Sequence, residues 1–184
     1  MALDDVYEYF RDYDKASFAV FACRGNEPSE EDLAAFEGVA GFGLPEEFRE
    51  FTMSPLGGLY MEVREELWPR PKQHDVGPFW SFLFGLKVFG IAAGIPEWLD
   101  IRAQLAAFRA EADPASASDL VPFLQIVDDR DRWCFDRNGQ IVRWRHDAGD
   151  PVEPERISFS ELLMREIKDL VARKDRKLRG EDRA

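Results

Sequence analysis

The stretch "DRWCFDRNGQIVRW", residues 131–144, puts a cysteine, two aspartates, three arginines and two tryptophans into fourteen positions, and His146 follows shortly after. Cys134 within hydrogen-bond reach of His146 would make an activated thiolate nucleophile. Just upstream, "DDRD" (128–131) places Asp128, Asp129 and Asp131 in one loop, where carboxylates could hold a divalent cation. That loop lacks the ligand spacing and the glycine of a calcium loop, so a solvated turn is the simpler reading. "EVREE" and "EEFRE" bring acids close together, but nothing aims them at a common pocket as acid–base catalysis requires. His74 stands alone in a proline-rich loop, and "GVAGFGLP" lacks the Lys-Ser/Thr ending of a phosphate loop. No catalytic, metal or cofactor site emerges.

Geometry decides whether the thiol and imidazole can meet. Asn138-Gly139 between two apolar runs predicts a two-residue type I′ hairpin, since both residues tolerate positive φ. Pairing from that turn sets Phe135 opposite Val142, Cys134 opposite Arg143 and Trp133 opposite Trp144. One face then collects Trp133, Phe135, Val142, Trp144 and His146, and the other carries Cys134, Asp136 and Arg143. The register therefore predicts a sheet between Cys134 and His146, and a packing role for the cysteine.

The remaining elements alternate helix and strand. Leu3, Val6, Phe10 and Tyr13 recur at helical spacing, and "SFAVFAC" follows as a strand. Ser29 caps a helix bearing Leu33 and Phe36, Pro45 opens a short one bearing Phe48 and Phe51, and "SPLGGLYMEV" is a glycine turn entering a strand. "VGPFWSFLFGLKVFGIAAGI" (76–95) has Lys87 as its single charge, yet its glycines and alternating apolar residues predict strand and turn and no membrane span. Trp98, Ile101, Leu105 and Phe108 mark a helix starting at Pro96. Three strands around "VPFLQIV", "RWCFD" and "IVRWRH" follow, then a helix started by the Ser158/Glu161 capping box. Helices interspersed with runs of strands make one α+β domain over residues 1–172, with a mainly antiparallel sheet and flanking helices, and leave 173–184 as a charged, solvated tail.

A net charge of -12 on 184 residues repels phosphate and favours a basic or neutral protein partner over nucleic acid. Two cysteines, Cys23 and Cys134, are too far apart in sequence for a redox motif, and the acidic N-terminus does not suit a secretory signal, so a reducing cytoplasm is expected.

"FGLPEEFREFTMSPLGGLYMEV", then "ELWPRPKQHDVGPFWSFLFGLKVFGI" with "PEWLDI", then "VPFLQIVDDRDRWCFDRNGQIVRWRHD" and a closing helix, together resemble the SUKH superfamily, the Smi/Knr type named for fungal cell-wall regulators. The resemblance covers residues 15–172. It implies an α+β domain without catalytic activity or cofactor, and for bacterial members an immunity protein that neutralises a polymorphic or contact-dependent toxin, often a nuclease or deaminase. The alternative it implies is a regulatory adaptor like the fungal members. Loop carboxylates and aromatics suit partner anchors, which selects Asp75, Trp68, Asp128, Asp129, Asp131 and Asp136.

The charge balance predicts that duplex DNA titrated at physiological salt gives no saturable binding. A salt-sensitive isotherm in an electrophoretic or anisotropy assay would contradict it.

Overall fold

The computed structural model describes residues 3–70, 83–112, 117–147 and 152–181. The order of elements is α1 (Leu3–Asp12), β1 (Phe18–Phe21), α2 (Glu30–Ala40), α3 (Glu46–Thr52), β2 (Tyr60–Val63), β3 (Gly85–Val88), α4 (Ile101–Glu111), β4 (Val121–Ile126), β5 (Arg132–Phe135), β6 (Ile141–Trp144), β7 (Val152–Glu155) and α5 (Phe159–Arg179). The strands form one antiparallel sheet in sequence order, β1 to β7, and the fold is α+β as expected.

The helix starts follow their caps. Ser29 accepts from Asp32 N and Asp32 reaches back to Ser29 N, while Ser158 and Glu161 make the same reciprocal box. α2 stops at Gly41, whose φ of 92° gives the left-handed cap, so "GVAGFGLP" is a helix-to-helix turn. Pro45 caps α3 from outside its first turn, and α4 begins at Ile101 behind the Asp100 cap, leaving Trp98 exposed in the turn before it.

α1, α3 and α5 cover one face of the sheet. Their meeting point is a cluster of phenylalanines: Phe123 and Phe135 stack at 4.0 Å between ring centroids, and Phe48 lies 5.1 Å from Phe135 and 5.2 Å from Phe159. α4 covers part of the opposite face, where Phe108 packs edge-on to Trp144 beside Cys134 and Val142. Each such aromatic pair contributes about 0.5–1.5 kcal/mol beyond the area it buries.

The hairpin at 132–144 forms in a register one residue away from the expected one. Phe135 pairs with Ile141, Cys134 with Val142, Trp133 with Arg143 and Arg132 with Trp144. The cause is Asp136. Its backbone N–H donates to Gln140 O (2.9 Å) and its Oδ1 accepts from the N–H groups of Asn138 and Gln140, both at 2.8 Å. Only Gly139 takes positive φ (73°), so the loop has three residues, a tight turn followed by a left-handed glycine, instead of a two-residue type I′ turn. One additional loop residue turns one strand over relative to the other. Trp133 joins the main core with Phe135 and Ile141, and Trp144 lies on the α4 side.

Two further differences concern the C-terminal part. β7 pairs with β6, a strand the sequence did not announce because Val152-Glu153-Pro154-Glu155 has little apolar content. The boundary expected at residue 172 falls inside α5, which runs on to Arg179 and ends at Gly180.

Glycines at the start of β2 allow a backbone-to-backbone contact. A Cβ on Gly90 would press into Gly58 N, 2.7 Å from Gly58 Cα, whereas one on Gly38, in the exposed middle of α2, would meet nothing within 4 Å. Gly90→Ala is expected to destabilise by up to about 3 kcal/mol. Gly38→Ala is expected to stabilise by roughly 0.5–1 kcal/mol. Urea unfolding of both variants checks the opposite signs.

Candidate partner-binding cleft

The acidic loop 128–131 connects β4 to β5, and its carboxylates have different fates. Asp128 sits at φ 60° and is exposed. Asp131 is committed internally: Oδ2 accepts from Arg143 Nη2 and Oδ1 from His146 N, both at 3.0 Å, which ties the ends of the hairpin together. Asp129 accepts from Asp131 N at 3.0 Å, and its carbonyl accepts from Gln125 Nε2. Burial and the neighbouring Asp131 raise the pKa of Asp129. Asp136 holds the hairpin turn and is likewise engaged. Among the described residues no three His, Cys, Asp or Glu side chains converge to hold a metal ion.

Asp129 and Asp131 open onto a cleft of about 470 Å³ between the sheet and α5, lined also by Trp133, Arg143, Glu155, Arg165, Glu166, Asp169 and Arg173. Its cations lie on an aromatic surface, with the Arg165 and Arg143 guanidinium carbons 5.1 and 5.5 Å from the Trp133 ring centroid. Arg165 bridges Glu155 (3.3 Å) and Glu166 (3.5 Å). Glu166 is 8% exposed, and burial outweighs Arg165 in raising its pKa. Arg173 donates through Nε to Leu83 O at 3.2 Å, while its buried Nη2 has no hydrogen-bond partner among the described residues. Burial lowers the Arg173 pKa. The cleft therefore holds a donor and carboxylates whose polar capacity the protein itself only partly uses.

The expected anchors fare unevenly. Trp68, selected as an exposed aromatic, is 1% exposed, with Lys177 Nζ 5.5 Å from its ring centroid, so it is a core residue. Asp75 lies outside the described residues. The basic run of the expected tail is largely occupied by packing: Lys174 contacts Ser17 Oγ and lies over Phe18, and Arg179 pairs with Glu181. A second acidic surface lies elsewhere. Asp4, Asp5, Glu8 and Asp12 on α1 are exposed, and Asp4 and Glu50 of α3 both raise the pKa of Tyr7 between them, after burial. Helical periodicity gave these acids to the solvent side of α1, but α1 and α3 are brought together only by the fold.

Cys134 and His146 do not form a pair. In the observed register both lie on the α4 side, so the sheet does not separate them. Distance along it does: His146 Nδ1 is 3.3 Å from Glu111, whereas Cys134 Sγ contacts Arg132 O at 4.0 Å. Complete burial pushes the Cys134 thiol far up, the opposite of activation, and Arg132 offsets it only partly. Cys23 is also free and buried, with its thiol pKa raised by burial.

The raised carboxylates fix a pH dependence. Folded protein keeps the protons of Glu166 and Asp129 to higher pH than the unfolded chain does. Stability from them is full below the ordinary carboxylate range and is lost as pH rises through the raised values. Glu166→Gln should flatten the decline of melting temperature above the ordinary Glu pKa; an unchanged slope would mean that Glu166 does not titrate in that window.

No described helix is long and apolar enough to cross a membrane. No curated protein matches the sequence. A family model does, over residues 27–165, from just before the Ser29 cap to the cleft residue Arg165. With most of the domain inside that match, the chain belongs to the SMI1 / KNR4 family (SUKH-1).

Proposed function

We propose that this protein is a cytoplasmic immunity protein that neutralises a cognate toxin domain, nuclease or deaminase in class, by direct binding and without chemistry of its own. Family membership carries the reading, because bacterial proteins of this superfamily commonly act as stoichiometric inhibitors of toxins. Two features of the molecule suit it. The charge of -12 and the open acids of α1 and α3 attract the basic surface of an enzyme that handles nucleic acid, and thereby accelerate encounter. The cleft offers Asp129 and Glu166 to an arginine or lysine of the toxin, with the exposed Asp169 beside them. Both free cysteines are buried and need no oxidising compartment.

Blocking an active site takes an interface of about 1,200–2,000 Å² with a few dominant anchors, within reach of a domain this size. Co-expression with the toxin domain encoded beside it should restore growth and yield a complex. Reversing Asp4, Asp5 and Glu8 to lysine should slow association roughly tenfold at low salt with little change in dissociation. Asp129→Asn with Glu166→Gln should mainly speed dissociation. Protection without a complex would indicate an indirect route. Neither protection nor binding, together with a stable complex with another cellular protein, would favour the regulatory adaptor.

A further inference from the structure

Among the described strands β1 is an edge of the sheet, and the direction of its backbone groups follows from two bonds. Arg64 N–H donates to Ser17 O, and Val63 N–H to Phe84 O. In an antiparallel ladder hydrogen-bonded and non-bonded pairs alternate. Ser17, Ala19 and Phe21 thus face β2, and Phe18, Val20 and Ala22 point their N–H and C=O groups away from it. Asp14 O takes the Phe18 N–H. Among the described residues, Phe18 O, both groups of Val20 and the Ala22 N–H have no partner and lie on the open side.

The edge strand is short but lacks the charge and proline that usually guard an edge. Phe18-Ala19-Val20-Phe21 has no charge and no proline, and Phe21 is 42% exposed. The opposite edge, β7, carries Pro154 between two glutamates.

We propose that β1 pairs with β1 of a second copy of this chain about a two-fold axis at Val20. That register is the one the free groups permit: Val20 exchanges two hydrogen bonds with its equivalent, and each Ala22 N–H donates to the other copy's Phe18 O. It is also complementary in size. Phe18 lies opposite Ala22, Phe21 opposite Ala19 and Val20 opposite itself, so every phenylalanine meets an alanine. A two-fold contact of this kind is self-complementary and closes at two copies. Four main-chain bonds on a four-residue edge make a reversible dimer. Because each copy carries -12, salt strengthens this pairing, the reverse of its effect on binding a basic toxin.

The test is sedimentation with hydrogen exchange on the full chain. Between about 5 and 500 µM the average mass should rise from 21.2 kDa towards twice that value, more so at high salt. The amides of Val20 and Ala22 should gain protection over the same range. Val20→Pro removes a donor that serves no bond among the described residues, at an edge position where proline is tolerated, so the fold, checked by circular dichroism, should persist despite some lost packing of Val20 while self-association is lost. Ala19→Lys should weaken the pairing independently. A mass fixed at one chain throughout, or association retained in Val20→Pro, overturns the proposal. So does a Val20→Pro protein that loses only toxin binding, which would assign the edge to a strand of the toxin.

Discussion

Phe48 occupies the junction of three layers. On one side its ring meets Phe123 and Phe135 of the sheet, and on the other Phe159, the first residue of α5, which also touches Phe51 one turn along α3. A seven-residue helix is too short to hold itself together in water. α3 exists because its two phenylalanines are clamped between β4–β5 and α5, and in return it sets how close α5 comes to the sheet. Further along the helix the charged cleft lies between α5 and the sheet, so the position of Glu166, Asp169 and Arg173 along it is a consequence of aromatic packing about two to four turns away.

Much of this was legible beforehand. Cap residues Ser29 and Ser158 are local signals, as are the apolar spacing of α1 and α4 and the glycine ending α2, and local physics decides them. What failed depended on competition or distance. Asn138-Gly139 favours a two-residue turn by itself, but Asp136 two positions earlier accepts two backbone N–H bonds and thereby lengthens the loop. β7 owes its existence to β6 and not to its own composition. Lys174 and Lys177 read as a solvated run until Phe18 and Trp68 are brought beneath them. Of the candidate anchors, Asp129 opens onto the cleft and Asp128 is exposed, while Asp131 and Asp136 turned out to be tied down by partners that sequence spacing alone does not reveal.

The carboxylates thus divide by partner. Some hold the architecture, as Asp131 does between β5 and β6 and Glu37 does by joining Arg49 to Leu44 N. Others line the cleft with raised pKa values, and a third set stands in solvent on α1 and α3. The large negative charge is therefore concentrated in a surface field, because several of the acids that stabilise the fold are neutralised by arginines beside them.

The sheet order is also the order of synthesis. Since each strand pairs with its immediate predecessor and successor, every ladder closes between chain neighbours and none skips a strand. Loop closure of this kind is entropically cheap and keeps contact order low for a sheet protein. The β5–β6 hairpin, with its three-residue loop, is the shortest closure in the sheet and a natural place for assembly to begin. Docking of α1 against α5 brings the first and last described helices together and waits for α5. Such a chain can acquire most of its sheet progressively as it lengthens, with only the final helix needed to seal the core.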